Sequence, residues 1–263
     1  MQHQFIILAY KESPYLEACI QSLLRQTVKS EISISTSTPS IFLQRIAKKY
    51  GLKLVVNTER KGIAADWSFA YKIATAPYVT LVHQDDTYDS EFTKLCITEN
   101  LNREESSILF SNYAEQIQER VIHNSHNLIV KDFILFLFFL VTSSLKNTAA
   151  KKLFLSFGSP IPCPAVTFHK AAIGPFQFNN SFHINLDWDA WLRLAELPGN
   201  FVYIKKRLVR HRIHSLSATT EGIASNVRYK EDKIMLEKIW PKPISAFLLF
   251  FYTGSYRSNK VEG

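Results

Sequence analysis

The first third of the chain alternates between short continuous apolar runs and longer stretches in which apolar residues recur every three or four positions. Phe5-Ile6-Ile7-Leu8 is such a run, the pattern of a strand buried on both faces of a parallel sheet. Ser13-Pro14 then offers an N-cap and a first-turn proline, and Leu16, Ile20, Leu23 and Leu24 follow at helical spacing. Glu31 to Thr36 has the β-branched content of a second strand. Thr38-Pro39 opens a second helix, closed by Gly51 just after Lys48-Lys49-Tyr50. Leu52 to Val56 predicts a third strand, Ala64 to Thr75 a helix ended before Pro77, and Tyr78 to Val82 a fourth strand.

Strand and helix in strict alternation imply right-handed crossovers and a mainly parallel sheet with helices on both faces. Such sheets bind ligands at the carboxyl ends of their strands. The residues there are Ala9-Tyr10-Lys11, Thr36-Ser37, Asn57 and His83-Gln84-Asp85-Asp86. The second half is less regular. Leu186 to Glu196 predicts an amphipathic helix carrying Trp188, Trp191, Leu192 and Ala195, Phe201 to Ile204 and Leu208 to Ile213 predict strands, and Ser225 to Ile239 a polar-faced helix stopped at Pro241. No internal repeat or low-complexity linker interrupts the chain.

Composition adds limits rather than an assignment. Of 263 residues, 46% are hydrophobic and 21% charged, enough for a real core and too apolar for disorder. The net charge of +8 favours anionic partners, but no basic-aromatic recognition motif accompanies it, so nucleic acid is not expected. Cys19, Cys96 and Cys163 lack metal-site or disulfide spacing and read as reduced thiols. The opening MQHQFIILAY lacks the basic region of a signal peptide, and the expected location is cytoplasmic. Two apolar runs, Phe133 to Val141 and Ile244 to Tyr252, fall short of the roughly 20 residues a spanning helix needs. Their basic flanks (Lys131, Lys146, Lys151 and Lys152; Lys238, Lys242, Arg257 and Lys260) suit the inner face of a membrane, while a core helix or a dimer contact would explain the same runs.

Three segments carry candidate chemistry. VHQDD places Asp85 and Asp86 at a strand end, where paired carboxylates suit a hard divalent cation completed by phosphate oxygens. A turn in which one of them caps the next helix is the competing explanation. LDWDAWLRLAE begins a helix with Asp187 and Asp189, placed either by the helix dipole or because one is a general base. The two point about 200° apart on a helix. VRHRIHSLSATT sets Arg210, His211, Arg212 and His214 together, a source of a metal ligand and a phosphate clamp or a polar turn.

These pieces, in this order from Phe5 to about Thr220, resemble the family 2 glycosyltransferases of the GT-A fold. FIILAYKESPYLEACIQSLLRQT is similar to the family's opening strand, loop and helix. GIAADWSFAYKIATAPYVTLVHQDD resembles its N-x-G…D-x-D-D stretch, LDWDAWLRLAE its E-D-x-D-x-x-x-R-L element, and LVRHRIHSLSATT its closing Y-R-x-H-x-x-S. The resemblance implies a GT-A-type, mostly parallel sheet flanked by helices with a smaller, irregular acceptor-side region. It would divide into a nucleotide-binding half about 1–112, an acceptor half about 113–220 and a helical extension 221–263. It implies an inverting transfer of sugar from a nucleotide-sugar donor, a UDP-sugar first, to a saccharide, cell-surface glycan or lipid-linked acceptor. A divalent metal, Mn²⁺ or Mg²⁺, is the implied cofactor. Ala9, Tyr10, Glu12, Thr36, Asp66, Asp85 and Arg212 fall on donor-binding positions, Asp85, Asp86 and His214 on metal positions, and Asp187 on the general base. A membrane surface or a second copy of the chain are further implied partners.

The chain departs from the pattern at three places. No acid follows the second strand, where Ile34-Ser35-Thr36-Ser37-Thr38 stands, His83 replaces the first aspartate of D-x-D, and Leu186 replaces the glutamate before Asp187. These departures are what a non-catalytic, nucleotide-sugar-binding relative would show. A nucleotidyltransferase would carry a Gly-rich phosphate loop, and Tyr10-Lys11-Glu12-Ser13-Pro14 is not one.

Overall fold

The computed structural model describes residues 2–101, 105–214, 222 and 225–255. Its elements are β1 (His3–Ala9), α1 (Leu16–Leu24), β2 (Glu31–Thr36), α2 (Ile41–Tyr50), β3 (Lys53–Val56), α3 (Ile63–Ile73), β4 (Tyr78–His83), β5 (Thr87–Tyr88) and α4 (Phe92–Leu101). There follow β6 (Ser106–Ile117), β7 (Arg120–Ile122), α5 (His126–Phe139), β8 (Ser144–Leu145), α6 (Thr148–Leu155), β9 (Val166–His169), α7 (Lys170–Ile173) and α8 (Leu186–Glu196). The described part closes with β10 (Asn200–Ile213), α9 (Val227–Ile239) and α10 (Lys242–Ser255).

Strands run in the order β3-β2-β1-β4-β9-β6-β10-β5 across one sheet. The first four are mutually parallel, β9 is antiparallel to both neighbours, and β6 and β10 are again parallel to each other. This is the mostly parallel, helix-flanked GT-A sheet. Alternate side chains of β1 feed two cores: Ile6 joins Trp67, Tyr71, Phe168, Trp188 and Trp191, while Phe5 and Ile7 join Leu16, Ile20, Leu43 and Phe92. Burial on both faces is why β1 reads as an unbroken apolar run. Gly51 ends α2 at φ 63°, a left-handed turn that glycine adopts without strain.

The structure revises several expected boundaries. Ser13 does not cap α1; the helix begins two residues later than expected, at Leu16, and the Ser13 hydroxyl accepts from the Tyr15 N–H and donates to Asp85 in the strand-end loop. The two strands expected at 201–204 and 208–213 are one, β10, whose register against β6 shifts around Arg207. β6 runs through the expected division near residue 112, so the two halves share a sheet. Its buried Ser111, Asn112, Glu115 and Gln116 disguise a central strand as a polar segment. Residues 215–220, at the end of the VRHRIHSLSATT motif, lie outside the described residues, as do Arg257 and Lys260.

Candidate active site

β1, β2 and β4 end together, and the last residues of β10 arrive beside them from more than a hundred residues downstream. After His83 the backbone turns sharply, with the Asp86 N–H donating to the His83 carbonyl at 3.2 Å. That turn sends the two adjacent aspartates to opposite destinations. Asp86 is 0% exposed. It accepts hydrogen bonds from His211 Nδ1 at 3.0 Å and from the Arg212 backbone N–H at 2.9 Å. Burial alone would raise its carboxyl, but the His211 charge and hydrogen bond, His83 and the Arg212 amide hold it below the ordinary range. Burial likewise acts to lower His211, and Asp86 more than offsets it, leaving the imidazole raised. Asp86 is therefore the anchor of a buried ion pair. Both its oxygens lie within 3.3 Å of His211 Nδ1, so a metal held at this position would share them with that pair.

Asp85 turns outward. Its Oδ1 accepts from the Ser13 hydroxyl at 3.1 Å, and its Oδ2 lies 2.9 Å from His214 Nε2. Arg212 is stacked 4.3 Å from the Tyr15 ring centroid and donates from Nε to the Asp85 carbonyl and from Nη1 to the Gln118 carbonyl. Tyr15 also stands against the His214 ring at 5.2 Å. Among the described residues no group of three or more His, Cys, Asp or Glu side chains gathers as a metal cage. Asp85 with His214 nonetheless suits Mn²⁺ or Mg²⁺, because such ions take one or two protein ligands and complete their shell with substrate phosphates and water.

On the donor side, the Gln84 amide clamps the Tyr10 backbone, accepting from its N–H at 3.2 Å and donating to its carbonyl at 2.9 Å. Tyr10 projects into solvent, Glu12 is exposed, and Lys11 adopts φ 56°, its N–H donating to Thr38 Oγ1 at 2.6 Å. A lysine held in the left-handed region marks a constrained loop. Ala9 is buried, which leaves only its backbone for a ligand. Thr36 is buried at the end of β2, and its hydroxyl accepts from the Thr38 N–H at 3.0 Å. Asp66 does arrive there. From the first turn of α3 it accepts from Ser37 Oγ at 2.7 Å and Asn57 Nδ2 at 2.8 Å, at the ends of β2 and β3. α3 thus brings a carboxylate to the strand end that lacks its own.

Asp187 and Asp189 share the first turn of α8 and differ completely in company. Asp189 is 5% exposed, accepting from Arg193 Nε at 2.9 Å and Lys238 Nζ at 3.0 Å. Asp187 accepts the Trp188 N–H at 2.7 Å, and no cation within ion-pair distance accompanies it among the described residues. Burial raises its carboxyl above the ordinary range, against the smaller opposing influence of Arg228 and Lys131. The buried Cys163 thiol is pushed up by burial and by the fields of both Asp187 and Asp86, so the two acids belong to one neighbourhood.

A profile of the family described as "Glycosyl transferase family 2" matches residues 4–168. The chain belongs to glycosyl transferase family 2. No curated protein sequence matches it. Solved structures show the fold relationship. S. aureus TarS 1-349 superposes with a TM-score of 0.65 at 14% identity, covering 95% of this chain and 69% of that one. The same fragment in complex with UDP-GlcNAc gives 0.63 at 15%, covering 98% and 73%. The mannosyltransferase PcManGT from Pyrobaculum calidifontis, in complex with GDP-Man and Mn²⁺, gives 0.62 at 12%, covering 98% and 70%.

Within this family 2 site, several residues escaped the sequence reading. Ser13 was read as a helix cap, and Tyr15 was given no role. His211 differed from His214 only in strand parity, yet one pairs with the inward aspartate and the other with the outward one. His83, standing where the family has an aspartate, packs 5.1 Å from Trp67, and its imidazole is lowered chiefly by burial, against the opposing fields of Asp86 and Asp85. All three cysteines are free and buried, with thiols pushed up by burial, so none is a ready nucleophile.

Proposed function

We propose that this glycosyltransferase moves a sugar from a nucleoside-diphosphate donor to an acceptor hydroxyl in one inverting displacement. The observation that carries the reading is the meeting of Asp85 and His214 at 2.9 Å, from positions 129 residues apart, beside Arg212. Bound there, Mn²⁺ or Mg²⁺ would neutralise charge on the departing diphosphate. Arg212, with two of its five N–H groups on carbonyls, keeps others for phosphate oxygens. Asp187 takes the acceptor proton as the hydroxyl attacks the anomeric carbon. Its raised carboxyl and freedom from an ion pair suit a base, whereas Asp189 is spent on Arg193 and Lys238.

The fold neighbours in complex with UDP-GlcNAc and with GDP-Man support a nucleotide-sugar donor, with a UDP-sugar the first candidate. The acceptor fits a cell-surface glycan or a lipid-linked saccharide. Asp66 takes the place of the acid missing after β2 and accepts an N–H of the base. Removing a charged hydrogen-bond acceptor costs about 1.5–3 kcal/mol, so Asp66→Ala is expected to weaken donor binding about tenfold or more, and to lower melting as well because Ser37 and Asn57 lose their acceptor. Calorimetric titration of UDP measures this; unchanged affinity would return base recognition to the backbone of Ala9 and Tyr10. The overall reading is tested by a panel of nucleotide sugars with and without MnCl₂, scored by thermal stabilisation and by transfer or hydrolysis. Absence of any metal-dependent response would overturn it.

A further inference from the structure

We infer that the outward face of α5 is a docking surface for an anionic lipid bilayer. Leu128, Leu135 and Phe139 form the buried stripe of this helix. Phe139 packs against Phe110 and Phe154, and Phe138 against Phe154, so the helix is fixed to the core through its inner side. A helix on water would turn polar residues outward. Here Phe133 is 59% exposed, Leu137 56% and Val141 95%, with Phe136 and Leu140 also outward. No polar residue occurs between Asp132 and Thr142.

The charge around this face is positive. The Asp132 carboxylate is consumed by Arg207 and by Asn112, leaving the exposed Lys205, which lines the same cleft as Phe136 and Leu140, as the uncompensated basic group at the rim. A cleft of about 310 Å³ opens behind α5, with Leu135, Phe136 and Phe139 on one wall and Lys205 and Arg207 on another. With Arg207 paired to Asp132, the combination is an apolar wall beside one uncompensated cation, Lys205, which matches an acyl chain beneath a phosphate headgroup. A second copy of the chain fits less well, because a two-fold contact buries the same basic rim from both copies with no acidic patch among the described residues to meet it. Spanning is excluded by length: no helix among the described residues is long and apolar enough to cross a membrane. Of the basic groups expected to flank the two apolar runs, Lys151 is buried and donates to the Leu197 and Gly199 carbonyls, so it is not a membrane contact.

Lys131 also joins α5 to the catalytic cleft: it donates to the Tyr113 hydroxyl at 3.0 Å and its field reaches Asp187. Seated on α5, the protein would hold its acceptor base near the bilayer surface, a placement that rests on the proposed role of Asp187. The test is co-sedimentation with vesicles of equal parts phosphatidylglycerol and phosphatidylcholine, against pure phosphatidylcholine. The intact protein is expected to pellet with the anionic vesicles and to be released by salt. The combined variant Phe133→Ser/Phe136→Ser/Leu137→Ser is expected to lose at least tenfold in vesicle affinity, and Lys205→Glu severalfold, with melting unchanged in both. Failure of the intact protein to pellet, or undiminished binding by the triple variant, would overturn the inference. So would a change in mass by sedimentation velocity confined to the triple variant without vesicle binding, which assigns the face to a second copy. Donor-induced thermal stabilisation, measured without vesicles, reports on sugar transfer alone and separates its failure from this one.

Discussion

Asp187→Asn is expected to slow transfer by about 10²–10⁴-fold, the range a general base contributes, and to make the protein more stable. The second half follows from linkage. Burial raises the Asp187 carboxyl in the folded state, so the fold binds this proton more tightly than the unfolded chain does. Stability from this group is complete below the ordinary carboxylate value and is lost as pH rises through the raised one. At neutral pH the fold therefore bears a half-buried, desolvated charge that asparagine removes. The wild-type rate should fall on the acid side at a pH above the ordinary carboxylate range, because only the ionised form accepts a proton. Asp189→Asn should behave oppositely, costing about 1 kcal/mol of stability through its lost partners with little effect on rate. Thermal melts and pH–rate profiles of both variants decide the matter; a larger rate loss at Asp189 would reverse the assignment.

The neighbouring aspartates at the end of β4 are expected to separate just as sharply. Asp86→Ala leaves the half-buried His211 without its counter-charge and the Arg212 amide without an acceptor, and should cost about 1–3 kcal/mol. Asp85→Ala breaks only half-buried contacts to Ser13 and His214. It should stay within about 1 kcal/mol of the parent yet lose metal-dependent transfer. Urea unfolding beside activity at graded MnCl₂ measures both. An Asp86→Ala protein as stable as the parent would mean that its carboxylate faces the cleft and would return the metal to it.

Much of this architecture was legible in the chain, for a physical reason. β1, β2, β3 and β4 are covered on both faces or joined by amphipathic helices, so burial prints itself as apolar runs and spacing. β6 was illegible because a central strand there hides Ser111, Asn112, Glu115 and Gln116, and pattern reading takes polar residues for exposed ones. At the site, the positions of Asp85, Asp187 and His214 were visible as motifs. Their division of labour was not: Asp85 and Asp86 are chemically identical neighbours, and only the turn after His83 and the arrival of β10 decide which faces inward. Asp66 was visible as part of a motif, but its meeting with Ser37 and Asn57 depends on how α3 sits over the strand ends.

The tether from Asp86 to the Arg212 amide also sets a schedule for biosynthesis. The two positions are 126 residues apart. At about 5–20 residues per second on the ribosome, the loop bearing both aspartates emerges roughly 6–25 s before the segment that neutralises it. Throughout that interval the early strands can pair, but their catalytic loop holds a carboxylate destined for burial with nothing to receive it. The early strands are therefore expected to complete their loop only when β10 closes over it. A chain ending at residue 199 is expected to retain helical content but to give no donor-induced stabilisation, and normal UDP-sugar binding by that fragment would show that the early strands complete their site unaided.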